Sequence, residues 1–183
     1  MNTRFDMKPN MAFELIKPPQ FNDIIKHLGA YTLHHYDKNG NLIQSIKFNN
    51  GIVDVGVQHA YDCVFHAGSQ ITTWFIGLID NSGFTALANA DTMASHTGWN
   101  EFTNYSEETR VEWDEAATSG RTIASATPAD FSITGSGTVR GGFLVSNSAK
   151  SGTDGVLWST GVFANPPTVA NGETLKITYS LTG

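Results

Sequence analysis

With 183 residues, 40% of them hydrophobic, the chain is long enough to bury a core as one main domain. A formal net charge of −6 with only 15% charged residues makes it acidic and lightly charged, which disfavours binding to bare nucleic acid. Cys63 is the single cysteine, so an intrachain disulfide is excluded, the thiol is expected to be buried, and stability has to come from packing or association.

The opening residues 1–9 hold no apolar core of signal-peptide length, and no segment approaches the ~20 apolar residues that span a bilayer. The expectation is a chain made and folded in a cytoplasm, with no membrane contact. Residues 1–30 read as an extended arm: Pro9, Pro18 and Pro19 interrupt any helix, and the apolar residues fall in two short groups. Phe13, Leu15 and Ile16 belong to the first, Phe21, Ile24 and Ile25 to the second. Left in water these groups are a liability, so they need a surface, either on their own domain or on a neighbouring subunit.

Residues 31–183 form the expected β-domain. Two alternating runs, residues 31–36 and 42–48, flank Asp37-Lys38-Asn39-Gly40-Asn41, where Asn39-Gly40 supplies the positive backbone dihedrals of a tight hairpin turn. Residues 52–67 place Val53, Val57, Ala60, Tyr61, Val64 and Phe65 at spacings that fit a short helix. The apolar run 71–79 suits a central strand buried on both faces. Residues 84–126 predict long loops with one or two strands. Within them six acids (Glu101, Glu107, Glu108, Glu112, Asp114, Glu115) face Arg110 alone, which predicts a solvated acidic face or an inter-subunit salt-bridge surface. The last third predicts strands over 130–134, 138–145, 155–159 and 174–180, with Gly135-Ser136-Gly137 and residues 151–155 as hairpin-like turns. The fold class is therefore mainly β: a β-sandwich, jelly-roll-like, with an N-terminal arm and one short helix.

Catalytic chemistry is sparse. His34 and His35 point to opposite faces of a strand and cannot share an ion without a bulge, and His59 and His66 lie two helical turns apart. The acid cluster lacks the Asp-x-Asp-x-Asp-Gly pattern of a calcium loop, no Gly-x-Ser-x-Gly elbow is present, and phosphate loops are absent. Arg140-Gly141-Gly142 reads as a strand whose small residues permit close backbone approach. The expectation is a non-enzyme with no cofactor and no metal. An enzyme would need facing carboxylates, with Glu101, Glu108 or Glu112 as candidates, and a glycan-binding module would need exposed tryptophans such as Trp99 or Trp113.

A series of motifs runs through the domain in order: Phe48-Asn49-Asn50-Gly51-Ile52-Val53, Thr73-Trp74-Phe75-Ile76-Gly77-Leu78-Ile79, Asp91-Thr92-Met93-Ala94-Ser95-His96-Thr97-Gly98-Trp99, Ala126-Thr127-Pro128-Ala129-Asp130-Phe131-Ser132-Ile133, Arg140-Gly141-Gly142-Phe143-Leu144-Val145-Ser146-Asn147 and Asn171-Gly172-Glu173-Thr174-Leu175-Lys176-Ile177-Thr178-Tyr179. From about residue 31 to 180 the chain resembles small virion proteins of tailed bacteriophages, particularly the cement or decoration proteins of the capsid. That resemblance implies a homotrimer on the outside of an assembled virion capsid, tying major capsid protein subunits together after assembly in the host cytoplasm. The resemblance does not extend to the arm, but its proline-broken apolar groups, Phe13, Leu15, Ile16, Phe21, Ile24 and Ile25, suit a capsid-binding anchor. Trp99, Trp113, Glu108 and Arg110 are the candidates for a subunit interface. A tail-fibre or host-receptor module that binds glycan is the alternative.

Overall fold

The computed structural model describes residues 29–183. In chain order the elements are β1 (Gly29–Tyr36), β2 (Leu42–Asn49), β3 (Gly51–Ile52), helix α1 (Asp54–Phe65), β4 (Phe75–Asp80), β5 (Glu101–Phe102) and β6 (Val111–Glu112). After them come β7 (Thr122–Ala124), β8 (Ala129–Ser132), β9 (Gly137–Val145), β10 (Leu157–Val162), β11 (Thr168–Val169) and β12 (Thr174–Thr182). They build a β-sandwich of two antiparallel sheets. The first has the order β2-β1-β12-β7, with β8 also on β12; the second has β3-β10-β9-β4-β5, with β11 on β9 and β6 on β4. β1 pairs with β12 from Gly29 against Leu181 onwards.

Alternation sends every second side chain inward. In β1, Tyr31, Leu33 and His35 are buried while Thr32, His34 and Tyr36 are half-buried on the other face, so the two adjacent histidines do diverge. β12 answers with Leu175, Ile177 and Tyr179, and β8 with Ala129 and Phe131. Opposite them the second sheet contributes Ile76, Leu78, Val139 and Leu144 to the same core. A second cluster, with Phe143, Val145, Leu157, Ile79 and Trp99, lies on that sheet's other face beneath the 84–99 loops. Both faces of β4 are therefore buried, as its apolar run requires.

Several local expectations are corrected. At the first hairpin only Gly40 adopts positive φ (+82°), and Asn39 does not. The extra loop residue is absorbed by a register shift at His35/Tyr36, and Asp37 holds the turn by accepting bonds from the Asn39 and Asn41 amides, each 2.8 Å. The Asn41 side chain, donating from Nδ2 to Asp37 Oδ2 at 3.0 Å, and next the Asn41 backbone amide hold the Asp37 carboxyl below its usual range. The expected strand over 71–79 starts only at Phe75, since Ile71 and Trp74 turn aside to pack beside α1. Gly135-Ser136-Gly137 is no hairpin: β8 pairs with β12 and β9 with β10, so this turn carries the chain from one sheet to the other. Residues 151–155 do close the β9–β10 hairpin, with Gly155 at φ +98°. The two- and three-residue strands β3, β5, β6, β7 and β11 are too short for alternation to announce them.

Gly141 shows why Arg140-Gly141-Gly142 is small. A Cβ on Gly141 would collide with the backbone carbonyl of Gly161 on β10, whereas one on Gly142 meets nothing closer than 3.5 Å. Gly141→Ala should cost about 1–3 kcal/mol and Gly142→Ala less than about 1 kcal/mol. Chemical denaturation of the two variants checks this; equal effects would show that strand proximity is not the cause.

Candidate functional site

Of the four residues expected at a subunit interface, three are enclosed by their own chain. The Trp99 indole donates to Asp91 Oδ2 at 3.0 Å and stacks on His96 with ring centroids 3.9 Å apart. Trp113 donates to Ser125 Oγ at 3.0 Å and meets the Tyr179 ring edge-on. Arg110 is 1% exposed. Only Glu108 faces solvent. The correction has a physical reason: an indole or guanidinium can be buried once its N–H groups find acceptors, and here the folded loops supply acceptors from within.

Arg110 is the centre of that arrangement. Its Nε and Nη2 donate to the two carboxylate oxygens of Glu101 at 3.0 and 2.8 Å. Nη1 donates to the carbonyl of Asn147 and Nη2 also to that of Gly152, both at 2.9 Å, and the cation lies over the Phe143 ring. Glu101 also accepts the Ser151 amide at 2.7 Å. One ion pair thus ties the 101–110 segment to the β9–β10 hairpin, and the lone arginine among six acids is consumed structurally. Glu107 accepts the Ser132 amide and Asp114 the Thr127 hydroxyl. Glu101 has both oxygens engaged by Arg110, while Glu108 and Glu112 are exposed. Among the described residues no group of three or more His, Cys, Asp or Glu side chains is placed to hold a metal ion. Cys63 is half-buried on α1, 3.5 Å from His59 Nε2, not fully enclosed as expected.

A second polar cluster lies inside the sandwich and was not legible in the sequence. Tyr31 and Ser159 share a hydrogen bond of 3.1 Å across the two sheets. Tyr179 Oη accepts from Asn50 Nδ2 at 3.1 Å and from Trp158 Nε1 at 3.2 Å. Burial, reinforced by the neighbouring Tyr179, holds the Tyr31 phenol well above its usual range, and burial pushes Tyr179 up to about 12. Tyrosines at inward positions of period-2 strands are the signal that points to such a network, because a buried hydroxyl needs a partner. At the rim, His35 and Glu173 pair at 2.8 Å, and Glu173 also accepts the Ala170 amide.

Beside these polar clusters lies an apolar groove. Helix α1 buries fully only Gly56, whose missing side chain lets the helix backbone approach the Trp158 carbonyl on β10. Beyond that contact the helix stands away from the β7–β12 edge. Val57, Tyr61, Val64 and Phe65 form one wall of a cavity of about 430 Å³, with Ile123 and Leu181 opposite. Phe65 is 80% and Val64 70% exposed. The half-buried Trp74 and Trp158 meet edge-on at 5.9 Å and continue the apolar surface. The arm residues Phe13, Leu15, Ile16, Phe21, Ile24 and Ile25 lie outside the described residues. Comparison with protein-family models, with curated proteins and with solved structures returns no match to this chain.

Proposed function

We propose that the chain is a non-enzymatic structural protein of a phage virion, a cement or decoration protein that binds the outer capsid surface and bridges major capsid protein subunits, most simply as a homotrimer. One observation carries the reading. The Glu101–Arg110 pair and the cluster of Tyr31, Tyr179, Asn50 and Trp158 are internal, while α1 leaves Val64 and Phe65 uncovered at the surface. A rigid sandwich preceded by a proline-broken apolar arm suits a clamp. Binding energy that is lost when subunits separate opposes their separation, and burying roughly 500 Å² of apolar surface contributes about 12 kcal/mol before ordering costs. The glycan-binding alternative loses its stacking platform, because Trp99 and Trp113 are 1% and 4% exposed.

The test is co-sedimentation of the full chain with capsids of the virus that encodes it, alongside electron microscopy of intact particles. Full-length protein should decorate the head at fixed copy number, and Phe13→Asp with Ile16→Asp should lower occupancy about tenfold or more, a loss of ~1.4 kcal/mol or greater. Density at the tail tip, or full decoration by the charged variant, would rule the assignment out.

A further inference from the structure

Helix α1 is held by few contacts for its length. Val53 at its N-cap makes no side-chain bond, and Gly56 is its one fully buried residue. Val57, Tyr61 and Val64 then follow at spacings of four and three, with Phe65 beside them, which is the seam of a helix that packs on another helix. Among the described residues α1 is the one helix, so they offer it no such partner. Helical stability comes mostly from packing of an apolar face, and here that face ends in Val64 and Phe65, 70% and 80% exposed.

Charge indicates what covers it. From Asp54 to Phe65 the helix carries two exposed carboxylates, Asp54 and Asp62, and neither lysine nor arginine. Asp54 precedes Val57 by three residues, so it opens the same seam. Across the groove stands Arg121, exposed and with no carboxylate partner among the described residues. One copy of the chain thus offers an apolar helical seam headed by an acid, and beside it a groove walled by Ile123, Leu181 and an unpaired cation. Each half suits the other on a neighbouring copy. Trp99, Trp113 and Arg110, the residues first expected at such an interface, are enclosed and cannot form it.

We infer that α1 is the contact between copies of this chain: Val64 and Phe65 of one subunit pack into the α1 groove of the next, against the partner's Ile123 and the partner's Leu181, with Asp54 facing the partner's Arg121. The copy number is that of the proposed homotrimer, on which this contact rests; a contact between unlike surfaces closes into a ring when its rotation allows. The face left uncovered on one chain is then the face that builds the trimer, while capsid attachment is a separate contact. A rim ion pair fixes register and adds little affinity, so the apolar residues carry the association.

Sedimentation velocity of the full-length chain from about 1 to 100 µM tests it. The wild type should be a trimer, and Phe65→Asp, at an exposed position, should weaken association about tenfold or more with its urea midpoint unchanged. Asp54→Asn and Arg121→Gln should each weaken it about threefold, and together no further than either alone. A trimer that Phe65→Asp leaves intact overturns the α1 contact and keeps the homotrimer; if capsid occupancy falls in that variant instead, the face belongs to the capsid subunit. A dimer that depends on Phe65 keeps the contact and overturns the homotrimer. A chain that stays monomeric throughout overturns both, and effects of Asp54→Asn and Arg121→Gln that multiply overturn their pairing.

Discussion

Replacing Arg110 by alanine is expected to destabilise the fold by about 3–5 kcal/mol, a large fraction of the stability of a domain of this size. The magnitude follows from what is left behind. Glu101, whose side chain is 5% exposed, keeps a charge with no cation beside it, and the carbonyls of Asn147 and Gly152 each lose a donor. Glu101→Gln should be nearly as costly, because it strands the guanidinium instead. Changing both partners to apolar residues, Arg110→Met with Glu101→Leu, should recover part of the loss, but not all, since the Ser151 amide and the two carbonyls remain unpaired. Urea denaturation of the four proteins decides the matter; a single-substitution effect below about 1 kcal/mol would mean that the pair is solvated in solution.

Alkaline pH is the second large lever. Tyr31 and Tyr179 are buried at the interface of the two sheets, and Tyr105 is largely buried near the acid cluster. Desolvation raises all three phenols, with the carboxylate of Glu101 adding to the effect at Tyr105. The sign is fixed by proton counting. Above pH ~10 the unfolded chain releases its phenolic protons while the folded chain retains them, so stability falls as pH rises. For Tyr179 the contribution is fully present below about pH 10 and lost as pH passes about 12. Each such tyrosine adds a slope of about 1.4 kcal/mol per pH unit in that window, so three together give roughly 4 kcal/mol per unit. Tyr179→Phe should remove one share of that slope. At neutral pH it should also cost about 1–3 kcal/mol, because Asn50 Nδ2 and Trp158 Nε1 lose their acceptor. Denaturation midpoints from pH 8 to 12, read beside tyrosinate absorbance, test both statements, and a pH-independent midpoint would refute the first.

These two expectations describe a body built to stay closed. The Arg110 pair secures the loops at one edge of the second sheet, and the tyrosine cluster joins the sheets through the interior. Both give a rigid platform, beside which α1 leaves Val64 and Phe65 uncovered.

Local sequence determined those features that depend on neighbouring residues. The period-2 patterns of β1 and β12 mark inward and outward side chains, Asn39-Gly40 marks the hairpin, and Gly141 marks a close strand approach. Even so, alternation only tells which face is buried, not which strand lies beside which. Pairing of β1 with β12, the first strand with the last, and the switch of sheet at residues 135–137 follow from burying both inner faces at once. Trp99, Trp113 and Arg110 illustrate the limit most clearly. Their types suit an interface as well as a core, and only the folded loops, by bringing Asp91, Ser125 and Glu101 within 3.0 Å, made burial the favourable outcome. The groove is likewise tertiary: an apolar stripe on α1 is visible in the sequence, but that β7 and β12 leave it uncovered depends on how the helix rests on Gly56.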